Sequence, residues 1–216
     1  MTNQKPKVVR IVDDDRDICD SLSCLLELEG FEVRTYTDPK LFIRTDLFTD
    51  PGCVILDFRF PDMNGLEVQQ ALADQRIKIS TIFLTAHGDL PLAVKAMQRG
   101  ASDFLLKPVE PEELLKAVTR AVRTDTLLRH GFSSQDELKW CLSDMREREK
   151  DVLRLLRSSK DISNKMIAER LCLSERTVEN YRASIYRKLT VHSVDELFEI
   201  IDAVAHDASG GLSYLK

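Results

Sequence analysis

Hydrophobic positions along this chain follow two rhythms, and the change comes near residue 124. From residue 7 onward, apolar or β-branched runs at Val8–Val12, Glu32–Tyr36, Cys53–Leu56, Ile79–Leu84 and Phe104–Leu106 alternate with segments of helical period. Between the first two runs, Ile18, Leu22, Leu25 and Leu26 fall on one helical stripe that Gly30 ends. Asp38-Pro39 and Glu110-Pro111 set Pro in the first turn of two further helices, where its missing N–H costs nothing. Five strand–helix units predict an α/β domain over residues 1–124 with a five-stranded, parallel, doubly wound sheet. The unbroken run Cys53-Val54-Ile55-Leu56 predicts a central strand covered on both faces.

Beyond residue 124 only helical periods remain. Residues 125–144 read as a partly helical linker, broken by Gly131 and Ser133-Ser134 and resuming at a capping box of Ser134 and Glu137. Residues 145–216 predict an all-α, four-helix domain: Glu147–Leu156, Ser163–Leu171, Ser174–Leu189 and Ser193–Ala205. Ser163 and Ser174 occupy N-cap positions, and Ser193 with Glu196 forms another capping box. The tight turn at Cys172-Leu173 predicts a helix-turn-helix whose second helix enters a DNA major groove.

Net charge changes the picture only when the chain is divided. The total is −5, yet residues 145–191 hold 12 Lys and Arg against 7 Asp and Glu. Such a basic block fits a nucleic-acid surface, although charge alone equally fits a solvated face. No run approaches a membrane span, and the polar start MTNQKPK lacks a secretory signal, which predicts a cytoplasmic protein without membrane insertion. Five cysteines without C-x-x-C spacing predict reduced core thiols rather than disulfides or zinc ligands.

Polar residues stand where the strands end, which is where open parallel sheets bind ligands. Strand one runs into Asp13-Asp14-Asp15, strand three into Asp57, strand four into Thr85, and strand five into Lys107-Pro108. Carboxylates from two adjacent strands, a carbonyl and waters make an oxygen set suited to Mg²⁺. One of these aspartates could attack a phosphoryl donor while a lysine and the metal neutralise the oxygens.

Four motifs in order, Val12-Asp13-Asp14, Asp57-x-x-x-Pro61-x-x-x-Gly65, Thr85-Ala86-His87-Gly88-Asp89 and Asp103-Phe104-Leu105-Leu106-Lys107-Pro108, resemble the receiver domain of two-component response regulators, a flavodoxin-like fold. Arg146-Glu-Arg-Glu149, Ser163-Asn164-Lys165-x-Ile167-Ala168 and Thr177-Val178-Glu179-Asn180-Tyr181-Arg182 resemble the LuxR-type DNA-binding domain. With the His87-Gly88-Asp89 and Ala93-Val94-x-Ala96-Met97 runs, the whole chain resembles the NarL/FixJ family, nearest its FixJ branch. The resemblance implies Asp57 as phospho-acceptor, with Thr85 and Lys107 completing the catalytic set. It implies Mg²⁺ held by Asp13, Asp14, Asp57 and the Arg59 carbonyl, Thr85 and Phe104 as switch residues, and a cis Lys107-Pro108 bond. Position 104 carries Phe in place of Tyr, and Tyr181 stands where many relatives carry His.

For DNA, the start of the recognition helix offers Arg176, Thr177, Glu179, Asn180 and Ala183 for base readout, capped by Ser174. Lys165, Tyr181, Arg182, Arg187 and Lys188 are assigned to phosphates. The implied partners are a sensor histidine kinase, promoter DNA, a second copy of the phosphorylated chain docking near Lys95, Arg99, Glu112 and Lys116, and RNA polymerase. Two rivals are weighed. A haloacid-dehalogenase phosphatase would place its nucleophile on strand one and needs an acidic pair after the lysine, whereas Glu112 and Glu113 sit inside the next helix. A constitutive DNA binder with a structural receiver would retain repelling carboxylates for no return. The reading is therefore a phosphorylation-activated transcription regulator, not an enzyme apart from self-phosphorylation and autodephosphorylation at Asp57.

Overall fold

Five strands, β1 Val8–Val12, β2 Glu32–Tyr36, β3 Gly52–Asp57, β4 Ser80–Thr85 and β5 Asp103–Leu106, form one parallel sheet in the order β2-β1-β3-β4-β5. The computed structural model describes residues 6–86, 90–159 and 161–205. They fall into two compact units, and the chain passes from the first to the second between Asp125 and Thr126.

In the first unit the pleat sorts side chains to two faces. Val9, Ile11, Cys53, Ile55, Ile82 and Leu84 meet α1 (Arg16–Leu28) and α5 (Pro111–Arg129). Val12, Val54, Leu56 and Phe83 meet α2 (Pro39–Thr45), α3 (Gly65–Asp74) and α4 (Leu90–Gln98). The central strand β3 is buried at every position, in accord with its unbroken apolar run. Side-chain caps start the helices: Asp15 for α1, Asp38 for α2, and a full Asn64–Glu67 capping box for α3. At Gly65 a Cβ would lie 2.8 Å from the Asp57 carbonyl and 2.7 Å from the Phe83 ring, so only glycine lets α3 start this close to the end of β3.

Arg10 breaks the apolar pattern of β1 and is fully buried. Its Nε donates to Asp46 Oδ2 at 2.8 Å, and its guanidinium lies 5.6 Å from the Phe48 ring centroid. Asp46 also accepts from the Tyr36 hydroxyl and the Phe48 N–H. Burial works against the Asp46 charge, but these bonds, Arg10 foremost, hold its carboxyl below the usual value.

The second unit holds the end of α5 with α6 (Gln135–Ser143), α7 (Glu147–Ser158), α8 (Asn164–Leu171), α9 (Glu175–Leu189) and α10 (Val194–Ala205). The linker expected over 125–144 is not a separate segment. Leu127, Phe132, Leu138 and Leu142 are buried in the same core as Val152, Ile167, Val178 and Ile185. Ser134 caps α6 as expected, while Glu137 reaches back to the Ser133 N–H. Leu197, Ile200, Ile201 and Val204 of α10 are all buried in this core. The cysteines are free; Cys19 and Cys53 are core residues, but Cys24 and Cys172 are exposed, so the core-thiol expectation holds only in part.

Candidate functional site

Parallel register lines up the strand ends of the first unit. Asp57 lies opposite Leu84, and the next residue, Thr85, opposite Leu106. Asp13 follows directly on β1, and Lys107 on β5. Lys107 Nζ joins the set: it donates to Asp13 Oδ2 at 2.5 Å and to Asp57 Oδ1 at 2.9 Å. The remaining oxygens are used as well, with Asp13 Oδ1 accepting from the Asp15 N–H and Asp57 Oδ2 from the Arg59 N–H at 2.8 Å.

Burial lifts the Asp13 carboxyl above its usual value despite the Lys107 hydrogen bond. Burial also opposes the charge of Lys107, but its bonds to Asp13 and Asp57 prevail and raise the ammonium above its ordinary value. Lys107 is therefore a fixed cation between two acids. Asp14 is exposed, and Asp15 is spent as the α1 cap. Thr85 is buried and its carbonyl accepts from the Lys107 N–H, which fixes β5 to the end of β4.

Among the described residues no three His, Cys, Asp or Glu side chains converge on a ready metal site. The donor set nevertheless suits Mg²⁺, which keeps most of its waters and takes only one or two carboxylates from a protein. Asp13 and Asp57 face one ammonium, Asp14 is solvent-accessible, and the bridge pairing Arg59 with Asn64 uses the carbonyls of Phe58 and Met63, not that of Arg59.

Phe104 is half-buried, its ring 6.3 Å from Phe83 and 6.4 Å from Phe58. Phe58 follows Asp57, and Phe83 precedes Thr85 by two residues. Three rings thus connect both chemical positions to β5. The Lys107–Pro108 peptide is cis. His87 lies outside the described residues.

In the second unit α8 and α9 form the helix-turn-helix, with Cys172 in the left-handed conformation at φ 53°. Ser163 and Ser174 cap the two helices. The Ser174 hydroxyl accepts from the Thr177 N–H and lies 2.7 Å from the Thr177 hydroxyl, which braces the capping oxygen. Val178, Ile185 and Leu189 turn inward, leaving Arg176, Glu179, Asn180, Ala183 and Arg187 as an exposed stripe. Lys165 is exposed on α8.

Two residues assigned to phosphates sit differently. Tyr181 is partly buried against the core of this unit, because it shares the inward face with Val178 and Ile185. Lys188 turns its ammonium to buried Glu149 at 2.7 Å, and Ser184 donates to the other Glu149 oxygen at 2.6 Å. Glu149 also caps the Arg146 N–H. Its spacing of three, four and seven from Val152, Leu153 and Leu156 puts it on the buried stripe of α7, a signal present in the sequence. Asn164, Tyr186, Ser184 and Glu149 pair with the basic side chains of α9 or support them, and the sequence motifs give them no such roles.

Burial opposes the Glu149 charge, but Lys188, Ser184 and the Arg146 N–H pull its carboxyl down to about 2. A depressed acid stabilises the fold above its unfolded value of 4.5, and that contribution disappears as pH falls from there toward 2. Glu149→Gln should therefore remove about 3 kcal/mol of stability at neutral pH and flatten the acid limb. Urea unfolding followed by the fluorescence of Trp140, the single tryptophan, at pH 7 and pH 3 checks this.

Comparison with known proteins agrees with both halves. Residues 9–119 match the response regulator receiver domain, and residues 143–201 the luxR family of bacterial regulatory proteins. The chain is 36% identical over 200 residues to the response regulator protein TmoT of Ectopseudomonas mendocina, taking in 93% of this chain and 90% of that protein. It is 35% identical over 189 residues to the transcriptional regulatory protein FixJ of Azorhizobium caulinodans, 88% of this chain and 89% of that one. Among solved structures, full-length FixJ from B. japonicum aligns with TM-score 0.56 and 31% identity over 93% of this chain and 98% of its own. The response regulator StyR aligns with TM-score 0.56 and 37% identity over 92% and 98%. With a receiver sheet carrying the aligned acids and lysine, and a helix-turn-helix unit after it, the chain belongs to the NarL/FixJ family of two-component response regulators.

Proposed function

We propose that this protein is a cytoplasmic transcription regulator whose DNA binding is controlled by phosphorylation of Asp57. The observation that carries the reading is the single ammonium of Lys107 shared by Asp13 and Asp57 at the sheet's carboxyl end. In the proposed reaction a kinase phosphohistidine loses its P–N bond as an Asp57 oxygen forms the new P–O bond, and the imidazole, whose other nitrogen already carries a proton, leaves as the neutral ring. Asp13, Asp14, Asp57 and the Arg59 carbonyl would hold Mg²⁺, which neutralises phosphoryl charge when bound. Lys107 would pass from a carboxylate oxygen to a phosphoryl oxygen. The Thr85 hydroxyl would follow, and Phe104 would take up the space released beside Phe83. This domain scheme puts the switch in residues 1–125 and the output in the helical remainder. No helix among the described residues is long and apolar enough to cross a membrane.

Exposed Val94, Met97 and Leu106 support a dimer surface on α4 and β5. Arg99, named for that surface, instead reaches toward the Leu66 carbonyl of α3 at 3.5 Å. On DNA, Asn180 and Arg176 would read base edges from the exposed stripe, with Arg182, Arg187 and Lys165 on phosphates. Beryllofluoride with Mg²⁺ should raise the dimer fraction in sedimentation and tighten binding to promoter DNA in parallel. An unchanged monomer population with unchanged DNA affinity would sink the switch.

A further inference from the structure

The cations of α9 differ in what surrounds them. Lys188 is matched by a carboxylate, whereas the partners of Arg182 among the described residues are neutral. Arg182 Nη1 donates at 2.6 Å to Oδ1 of Asn164, the first residue of α8. Its Nη2 donates at 3.1 Å to the Tyr186 hydroxyl one turn along α9, and the guanidinium carbon stands 5.7 Å from the Tyr186 ring centroid. All three residues are half-buried, and Arg182 borders the exposed stripe at Ala183.

A guanidinium has five N–H donors in a rigid plane, so two bonds fix its orientation and leave the others for an anion. The Tyr186 oxygen accepts from Arg182, which leaves its own O–H to donate outward. A carboxylate at position 164 would brace α8 to α9 more firmly, since charge-assisted bonds are the stronger ones. It would also cancel the charge. An amide braces the pair and leaves the full positive charge in place.

We infer that Asn164 and Tyr186 are positioning residues that hold Arg182, with its charge intact, against a DNA phosphate. The inference rests on the reading of α9 as the DNA-facing helix. Holding a long side chain in its bound rotamer before contact removes an ordering cost worth roughly three- to tenfold in affinity. Because a phosphate contact is independent of sequence, a labelled duplex of random sequence is a sufficient probe.

The test uses the full chain and a double-mutant cycle read at several salt concentrations. Arg182→Ala should weaken binding and lower the salt slope by about one per bound protomer. Asn164→Ala and Tyr186→Phe should each weaken binding roughly three- to tenfold while leaving the slope unchanged, because the charge remains. In the Arg182→Ala background, Asn164→Ala should have no further effect. The same loss in both backgrounds would overturn the cradle and leave α9 as the DNA-facing helix. No loss in Arg182→Ala would overturn the placement of Arg182 on a phosphate, and the cradle with it. Thermal unfolding confirms that each variant is folded, and Tyr186→Phe, which keeps the ring, carries the test if Asn164→Ala is unfolded.

Discussion

The Asp57→Asn protein should take up no phosphoryl label from acetyl phosphate or from a cognate kinase, a complete loss against full labelling of the parent chain. The amide keeps the volume of the buried side chain but has no anionic oxygen with which to attack phosphorus. Asp57 is the acid that shares Lys107 with Asp13 and ends the central strand, so the charge that forms on transfer has a cation already 2.9 Å away. Asp14→Ala should behave differently: this exposed side chain supports little structure, so thermal stability should stay constant while labelling demands far more Mg²⁺. Label on Asp57→Asn that is labile to alkali and hydroxylamine, measured after gel separation, would assign the chemistry to another carboxylate.

Asp46→Ala should cost the receiver unit about 3 to 5 kcal/mol, because it leaves the Arg10 guanidinium buried without its counter-charge. That is a large share of the roughly 5 to 15 kcal/mol by which domains are stable. Arg10 and Asp46 side chains are both fully inaccessible, and the aspartate also holds Tyr36 and the Phe48 backbone. Replacing both members by apolar residues, Arg10→Leu with Asp46→Leu, should recover most of the loss. Urea unfolding followed by far-ultraviolet circular dichroism reads the effect, with Trp140 fluorescence reporting the other unit. Since the Asp46 carboxyl is held below its usual value of 3.8, the pair stabilises above that pH and its contribution is lost as pH falls below it.

The contrast between these acids shows what a linear pattern can carry. Asp13, Asp57, Thr85 and Lys107 are legible because strand ends are legible: a period of two that stops at a polar residue marks both the element and the place where ligands bind. Every strand is found within a few residues for the same reason, and the cap residues Ser134, Ser163 and Ser174 mark helix starts by local chemistry. Arg10 is not legible. Within Val8–Val12 it reads as one polar position in an apolar run, and its partner lies 36 residues away, where no local period connects them. Lys188 is illegible in the opposite sense, since its position on a basic helix suggests phosphate while its ammonium pairs with a carboxylate from α7, 39 residues earlier. Pairings made by tertiary structure, not by periodicity, decide which of several identical charges remain available to a ligand.

Helix α5 supplies Leu114, Val118 and Val122 to the sheet's core and Leu127 to the helical core. The gene therefore has no silent seam at residue 145. A hybrid regulator that joined a foreign receiver to this chain from Met145 onward would discard Leu127, Phe132, Leu138 and Leu142 and expose the apolar floor on which α9 and α10 rest. A hybrid that keeps the helical core whole is joined at Thr126 or earlier, so the output unit is longer than its motif, which spans residues 143–201.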